Sequence, residues 1–383
     1  MLNRIVAKNT KQADLRSQSL DLLRFPLAVA VLAVHVVSPQ TFFVKGEFID
    51  IASMPAVEFL VIFISAFIKA QSVPIYYFIS GYVFFYGVEF TLAVYKNKLK
   101  NRFRSLFIPY IVWNILALSW ILFKMMPCFT SLAPGLNSVV PEFSLKAFLF
   151  SFWDNSQCVV PMAATNQMYP INPPLWFVRD LFIVVLTTPL VFWIVKKMRA
   201  WSVYSMLVLW FASELTCWGY ITQLITAYTF FICGAYMSIY KKDMMYEFGR
   251  CSTFSFVAYP LLSIAYMICA YVRPEFCTVI KLINILVGLL FAYNVAALLI
   301  ERSICKPNKF LSSAGFFIYV SHFLIYNEVL KILFLILSPV LPIGFVFLYL
   351  LAVLVSVILL LVAYYLMNRY APMVLRVITG KRG

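Results

Sequence analysis

Apolar stretches long enough to cross a lipid bilayer recur along this chain of 383 residues. Hydrophobic residues make up 63% of the sequence and charged residues 12%, whereas soluble domains carry about 25% charged residues. A membrane-spanning helix needs roughly 20 predominantly apolar residues. Ten stretches satisfy this requirement: 20–38, 72–94, 106–126, 175–195, 201–219, 221–240, 253–272, 282–300, 312–336 and 343–367. The sequence therefore predicts an all-α polytopic membrane protein with about ten transmembrane helices.

The positive charges predict the orientation of these helices. With the N-terminus in the cytoplasm, 23 of the 31 Lys and Arg residues fall on the cytoplasmic side, as the positive-inside rule requires. Both termini are then cytoplasmic. The predicted domains are a basic arm over 1–18, a transmembrane domain over 19–367 that includes an extracytoplasmic segment over 127–174, and a basic tail over 368–383. The net charge of +16 thus reflects membrane orientation, and we expect a lipid bilayer, not nucleic acid, as the partner.

A further apolar stretch over 55–70 is interrupted by Glu58 and Lys69. Together with 72–94, it forms either one broken helix or a re-entrant segment followed by a span. The second alternative keeps the charge rule consistent, so we predict a re-entrant segment.

The first apolar stretch carries Asp21 and Arg24 at its start and His35 near its end. Arg24 and His35 are 11 residues apart, so they share one helix face and lie roughly 16 Å apart along the helix axis. Ionisable groups at membrane depth usually line a cavity or a functional path. The alternative is that Arg24 snorkels to the membrane surface and that His35 is a packed histidine bonded to a neighbouring helix. Asp21 either fixes Arg24 or forms a local salt bridge at the helix start.

The second of the two histidines, His322, also lies inside a predicted span. Tyr319, His322 and Tyr326 are spaced by three and four residues and form one polar stripe. Gly315 lies on nearly the same face and leaves room for close approach. Histidine can take and give a proton near neutral pH, so both histidines are candidates for proton transfer. Structural hydrogen bonding between helices is the alternative.

The eight cysteines contain no CxxC pair and the chain has two histidines, so we predict no metal site. Cys128 and Cys158 both fall in the extracytoplasmic segment and could form a disulfide. Cys277 lies near the same side, which leaves an odd number of cysteines there.

Five short motifs combine polar or charged residues with apolar helix sequence. They are DLLRFPLAVAVLAVH with Arg24 and His35, VPIYYFISGYVFFY with Ser80, Gly81 and Tyr82, KNRFRSLFIPYIVW with Arg102 and Arg104, PPLWFVRDLFIV, and AGFFIYVSHFLIY with Tyr319 and His322. Taken in this order, they resemble the motifs of the membrane-bound acyltransferase-3 family, bacterial proteins that O-acylate sugars and other surface molecules. The stretch 201–300 carries no matching motif.

The resemblance implies a multi-pass O-acyltransferase of the bacterial inner (cytoplasmic) membrane. Its acyl group, by resemblance acetyl, would come from cytoplasmic acyl-CoA, a co-substrate and not a tightly bound cofactor. The acceptor would be a hydroxyl of a cell-surface glycan or lipid-linked sugar. His35 would act as the base, or would accept the acyl group and pass it outward. Arg24, His322 and Tyr319 complete the predicted catalytic residues.

Acyl-CoA is strongly anionic, so its predicted site is basic and cytoplasmic. The predicted donor-binding residues are Arg24, Lys100, Arg102, Arg104, Ser80 and Tyr82. Arg102 and Arg104 are separated by one residue where the family often has two, so the resemblance does not decide which arginines to carry over. The predicted acceptor-binding residues are Trp153, Trp176, Arg179 and Asp180. An aromatic belt with a snorkelling arginine is the alternative for Trp176 and Arg179.

A different function also fits this pattern. Buried histidines and an arginine suit a proton-coupled transporter or flippase of a polar or lipid-linked substrate. The inverted repeats and paired broken helices of many transporters are not evident in the sequence, so the acyltransferase is the preferred interpretation.

Overall fold

The computed structural model describes residues 2–37, 41–44, 47–50, 54–126, 141–161, 168–339 and 341–381. These residues form the following α-helices: α1 Leu2–Val37, α2 Pro55–Ile64, α3 Ala70–Phe85, α4 Leu92–Arg102, α5 Ile108–Lys124, α6 Leu145–Phe150, α7 Trp176–Leu186, α8 Thr188–Met198, α9 Ala200–Thr216, α10 Tyr220–Ile239, α11 Met244–Gly249, α12 Ser252–Val272, α13 Cys277–Glu301, α14 Lys309–Ser321, α15 Tyr326–Leu337, α16 Pro342–Tyr370 and α17 Pro372–Ile378. A short antiparallel hairpin, β1 Thr41–Val44 and β2 Glu47–Asp50, lies between α1 and α2. The predicted helical fold class is confirmed.

Six helical runs in the described chain are long and apolar enough to cross a membrane. They are Asp14–Val37, Pro55–Phe85, Leu92–Lys124, Ser252–Val272, Cys277–Glu301 and Pro342–Tyr370. Two further runs, one through α7 and α8 and one through α14 and α15, are each bent by 65° and raise the number to eight if each is one span. The helices α9 and α10 lie where the fifth and sixth spans are predicted. The number ten and the cytoplasmic termini stay predictions.

The segment 55–70 was predicted to be re-entrant, and the structure differs. Residues 55–85 form one helical run, in which a π turn over Ser65–Lys69 joins α2 directly to α3. A π turn absorbs an extra residue without ending a helix. The predicted re-entrant segment is therefore wrong, and the run is one helix with a local distortion.

Paired broken helices are not evident in the sequence, yet two of the helical runs in the structure are bent. Pro189, near the start of α8, has no backbone N–H to continue the helix from α7. The second bend follows a 3₁₀ turn at His322–Leu324, between α14 and α15. One of the two histidines therefore lies at a break in a span.

Two close helix contacts position the parts of the bundle that carry the predicted residues. A Cβ atom at Gly81 would lie 2.0 Å from the Phe231 carbonyl oxygen, and one at Gly234 would lie 2.1 Å from that of Phe78, so α3 and α10 touch through backbone. A Cβ at Gly315 would lie 3.1 Å from the carbonyl oxygen of Arg24. The predicted close approach at Gly315 is confirmed, and it brings α14 against α1.

Candidate active site

His35 and His322 come together in the structure. Their ring centroids lie 5.2 Å apart, with the ring planes tilted by 40°. The Tyr326 ring lies 6.4 Å from that of His35 and 6.2 Å from that of His322. The Tyr319 ring lies 6.3 Å from His322. The polar stripe of α14 and α15 thus faces the outer part of α1, and the two imidazoles form one site.

The contacts of His322 determine what its ring can offer. Its side chain is fully buried, and Nδ1 lies 3.2 Å from the Ile318 carbonyl oxygen. A carbonyl oxygen only accepts, so this geometry assigns the hydrogen to Nδ1 and leaves a lone pair on Nε2 when the ring is neutral. Nε2 is buried and has no hydrogen-bond partner among the described residues. His322 therefore presents an acceptor inside the bundle, next to the half-buried His35.

Arg24 is held at the other end of the same face of α1. Its carbonyl oxygen accepts a hydrogen bond of 2.9 Å from the Tyr76 hydroxyl, while Gly315 packs against its backbone. Its guanidinium forms a 2.9 Å ion pair with Asp21 three residues earlier, and both side chains are about half exposed. Asp21 thus forms a local salt bridge within α1, which begins at Leu2 and not near Asp21. This salt bridge contributes little to stability because solvent screens it.

A cavity of about 750 Å³ lies beside Arg24. Arg24 and Asp21 line it together with Lys306, Lys309 and Ser312, which flank the start of α14. The loop between α13 and α14 therefore adds basic residues to the predicted donor side. From the sequence, Lys306 and Lys309 were expected only to contribute to membrane orientation.

Of the two arginines in the basic segment, Arg102 is the more buried. It ends α4, is half-buried, and its guanidinium interacts electrostatically with that of Arg24. Within the described chain, its guanidinium has no hydrogen bond or ion pair. Arg104 and Lys100 are exposed. The structure thus favours Arg102 over Arg104 as the partner of Arg24.

Tyr82 lies in a different cavity, of about 880 Å³. Its hydroxyl accepts a hydrogen bond of 3.3 Å from Arg16, and its ring stacks on that of Tyr86 at 5.5 Å. Arg16 lies 4.1 Å from the centroid of the Tyr86 ring. Ser80 is half-buried and lines neither this cavity nor the one beside Arg24. Arg16 was not among the predicted site residues, because in the sequence it is one of several positive charges of the basic arm over 1–18.

Three of the predicted acceptor-binding residues meet in a buried cluster. Arg179 Nε donates to Asp180 Oδ1 at 2.8 Å, and Arg179 Nη1 donates to the Trp153 carbonyl oxygen at 2.7 Å. The guanidinium lies against two rings that also contact each other, 4.9 Å from the centroid of Trp153 and 4.7 Å from that of Tyr220. The Tyr220 hydroxyl donates to Asp180 Oδ1 at 3.3 Å. We call Trp153, Arg179, Asp180 and Tyr220 the arginine cluster.

The burial of this cluster argues against a snorkelling arginine. Arg179 is 5% exposed and Asp180 is 0% exposed. Arg179 Nη2 and Asp180 Oδ2 are buried without a hydrogen-bond partner among the described residues, which is rare for charged atoms. Trp176 packs separately, against the hydrophobic core. Tyr220 was missed because no sequence spacing links the start of α10 to α7.

Aromatic side chains link α7, the helix that carries Arg179 and Asp180, to the histidines. The Phe177 ring on α7 lies 4.7 Å from that of Tyr77 and 5.9 Å from that of Tyr319. The Tyr319 hydroxyl donates to the Pro174 carbonyl oxygen, so it fixes α14 against the segment that leads into α7. The predicted catalytic residue Tyr319 thus lies between His322 and α7, with its hydroxyl already hydrogen-bonded.

Cys158 is a free, buried thiol whose Sγ donates to the Val160 carbonyl oxygen. Burial raises the pKa of this thiol above its ordinary value. Cys128, its predicted disulfide partner, lies outside the described residues.

Comparison with known proteins provides an independent result. A family model of acyltransferase-3 type, described as an acyltransferase domain, matches residues 17–362. Searches of curated proteins and of solved structures returned no match. The matched range contains both histidines, Arg24, Arg102 and the arginine cluster, and it covers most of the chain. The chain therefore belongs to the membrane-bound acyltransferase-3 family and is an integral membrane acyltransferase.

Proposed function

We propose that this protein moves an acetyl group from cytoplasmic acetyl-CoA to a hydroxyl of a cell-surface glycan or lipid-linked sugar, from within a bacterial inner membrane. The observation that carries this proposal is the pair of imidazoles whose ring centroids lie 5.2 Å apart, one of which, His35, shares a face of α1 with Arg24. O-acylation from acyl-CoA requires a proton acceptor for the acceptor hydroxyl and a cation for the CoA phosphates. The histidine pair and Arg24 would supply them.

The spacing of Arg24 and His35 suits the shape of the donor. The two residues lie roughly 16 Å apart along α1. The pantetheine arm of CoA has about as many bonds as four to five residues of extended backbone and so spans roughly 15 Å. A thioester at His35 would then place the pyrophosphate at Arg24 and Arg102. The cavity beside Arg24, with Lys306 and Lys309, would receive the nucleotide end.

His35 serves as the base in the proposed reaction. It takes the proton of the acceptor hydroxyl as the oxygen attacks the thioester carbonyl carbon. The C–S bond breaks, and the CoA thiolate leaves and recovers a proton from the imidazolium. The neighbouring His322 is held by the hydrogen bond between its Nδ1 and the Ile318 carbonyl oxygen. The lone pair on its Nε2 orients the reacting groups beside His35. The alternative is an acyl group carried on His35, which predicts an acylated protein when donor is present without acceptor.

The arginine cluster is the proposed acceptor site. The Trp153 ring is 39% exposed and offers an apolar face to a sugar ring. Asp180 Oδ2 and Arg179 Nη2 have no protein partner among the described residues, and sugar hydroxyls pair with such groups. Phe177, on the same helix as Arg179 and Asp180, contacts Tyr319, and the Tyr319 ring lies 6.3 Å from that of His322, which supports an acceptor site on the side of α7 near the histidines.

The test compares glycan mass in cells that carry wild type, His35→Ala or no protein, at matched expression. One acetyl increment per repeat with wild type alone supports the proposal. The proposal is contradicted if the glycan mass is equal in the three kinds of cell and the purified protein neither binds nor cleaves acetyl-CoA. Substrate movement across vesicles without acyl-CoA would instead support the alternative, a proton-coupled transporter or flippase.

A further inference from the structure

The segment that leads into α7 places Asn172 inside the bundle. Its side chain is fully buried, and its Nδ2 donates a hydrogen bond of 3.2 Å to the Val320 carbonyl oxygen on α14. The same nitrogen donates a bond of 3.4 Å to the Trp113 carbonyl oxygen on α5. Because carbonyl oxygens only accept, these two bonds assign the nitrogen of the amide to this side. A single side chain therefore joins the backbone of α14 to that of α5.

The backbone of Asn172 is itself fixed. Its N–H donates to Asn114 Oδ1 at 3.1 Å, and Asn114 Nδ2 donates to the Tyr110 carbonyl oxygen at 2.8 Å within α5. Asn172 also precedes Pro173, and a following proline restricts a residue to the extended backbone that Asn172 has. The amide therefore reaches α14 from a rigid support on α5.

The carbonyl that Asn172 binds lies two residues before His322. The helix α14 ends at Ser321, and the last four carbonyls of an α-helix have no partner within the helix. The Val320 carbonyl is one of these four, and Asn172 supplies its donor. The imidazole of His322 bonds back to the Ile318 carbonyl oxygen through Nδ1. The end of α14 is thus held by one bond from its own histidine and by one from the neighbouring segment.

We propose that Asn172 is a positioning residue for the acyl transfer: its amide fixes the end of α14 so that the His322 imidazole lies beside that of His35. This inference rests on the proposed function. Asn172 Oδ1 is buried without a hydrogen-bond partner among the described residues. A buried acceptor without a partner is costly, and an apolar side chain of the same size would avoid the cost. The donor side of the amide, with its two bonds to backbone, is therefore what this position uses.

The contact at Gly315 does not replace Asn172. Gly315 sets the approach of α14 to Arg24 on α1, but it lies seven residues, about two turns, before His322. Beyond it comes the break, where the helical run bends by 65°. Asn172 acts at this break. A misplacement of 1 Å can cost about 100-fold in rate, so the bond to Val320 should matter for rate and not for donor affinity.

The test uses the purified full chain and acetyl-CoA hydrolysis, in which water is the acceptor and CoA release is followed by chromatography. We expect Asn172→Leu to lower kcat about 10- to 100-fold with the acetyl-CoA KM within about twofold of wild type. Asn294→Leu is the matched control. The buried Asn294 amide also donates to a backbone carbonyl, that of Phe248 at 3.1 Å, so its loss should lower stability while kcat stays at the wild-type value.

A double variant separates positioning from a general loss of stability. If Asn172 acts through His322, removal of the amide costs nothing further once the imidazole is absent. Asn172→Leu combined with His322→Ala should therefore hydrolyse acetyl-CoA at the rate of His322→Ala alone. Multiplicative losses would overturn the proposal, and so would a wild-type kcat in Asn172→Leu. A raised KM at unchanged kcat would overturn it in favour of donor binding.

Amide hydrogen exchange over 318–326 tests the placement without catalysis. Asn172→Leu should speed exchange there about tenfold, because the break opens more easily, whereas Asn294→Leu should leave it unchanged. Unchanged exchange in Asn172→Leu would overturn this inference even if wild type releases CoA. Wild type that releases no CoA would overturn the proposed function and the positioning role with it, and faster exchange would then show that the contact itself exists.

Asn172→Ala is the second variant if Asn172→Leu does not fold. It removes the amide and adds no atom to the site, so it cannot clash with α5 or α14. We expect a kcat loss of the same order, about 10- to 100-fold, and no such loss in Asn294→Ala. A wild-type kcat in Asn172→Ala would contradict the proposal.

Discussion

His35 and His322 lie with ring centroids 5.2 Å apart although 287 residues separate them in the chain. Gly315 contacts Arg24, and seven residues later His322 contacts His35. Residue numbers therefore increase along α1 and α14 together, so the two helices run in the same direction. The imidazole of α1 thereby meets the break after α14, where the backbone is already distorted.

The two histidines should act as one unit. We expect His35→Ala and His322→Ala each to lower the rate of acetyl transfer, by about 10³-fold for His35 as the base. Because each imidazole needs the other, the double variant should be about as slow as the His35 single variant. Acetyl transfer by matched amounts of purified protein measures this, with thermal melting as the folding control. Multiplicative losses would show that the histidines act separately.

Arg102 should bind the donor and Arg104 should not. Arg102 is half-buried and its charge interacts with that of Arg24, whereas Arg104 is exposed. A charge-assisted bond to phosphate contributes about 1.5–3 kcal/mol, so Arg102→Gln should weaken acetyl-CoA binding roughly tenfold or more. The matched variant Arg104→Gln should change the Kd less than about twofold. Titration of acetyl-CoA into each protein decides this, and the reverse order would return Arg104 to the donor site.

The Arg179–Asp180 pair should be essential for stability as a pair. Asp180→Asn leaves a buried guanidinium without its counterion, and removing one partner of a buried pair costs about 3–5 kcal/mol. Tyr220→Phe removes one hydrogen bond to the same carboxylate and should cost only about 1 kcal/mol. Denaturation in detergent measures both variants. A stable Asp180→Asn protein would indicate that the cluster is hydrated.

The contact between α3 and α10 should not tolerate a methyl group. A Cβ at Gly81 would lie 2.0 Å from a backbone oxygen, which has no flexible side chain to move away. Gly81→Ala should therefore destabilise the protein by at least about 1–3 kcal/mol. Gly249→Ala is the matched control, since nothing lies within 4 Å of its added Cβ. Equal melting temperatures for the two variants would contradict this contact.

Cys158 should react slowly with a maleimide in the folded protein. Burial raises its thiol pKa, so the reactive thiolate is scarcer near pH 7, and labelling should accelerate as pH rises towards that pKa. Cys217 is exposed and should label faster. Mass spectrometry after timed labelling measures both. A Cys158 that resists labelling even after unfolding without reductant would instead support the disulfide with Cys128.

Much of the site could be predicted from local sequence. Arg24 and His35 share a face because the α-helical period relates residues 11 apart, and Tyr319, His322 and Tyr326 form a stripe for the same reason. Gly315 marks a close approach because it lacks a Cβ. The runs of about 20 apolar residues identified the helices themselves, since a helix satisfies its backbone hydrogen bonds within its own segment in lipid.

Contacts between distant segments depended on the fold. Tyr220 joins Arg179 and Asp180 because α10 packs beside α7, and no periodicity relates these segments. Arg102 was indistinguishable from Arg104 until their burial was known. In the sequence, Lys69 is only a charged interruption of an apolar stretch. The π turn that ends at Lys69 could not be predicted, because it does not change the hydrophobic pattern.

The sequence by itself thus determined that this chain is helical, lies in a membrane and belongs among acyltransferases, because bilayer length, charge asymmetry and short motifs are local properties. Only the tertiary structure decided which polar groups meet: His35 with His322, and Arg179 and Asp180 with Tyr220. The physical reason is that helix faces follow from a period of 3.6 residues, whereas helix partners follow from the packing of the whole bundle.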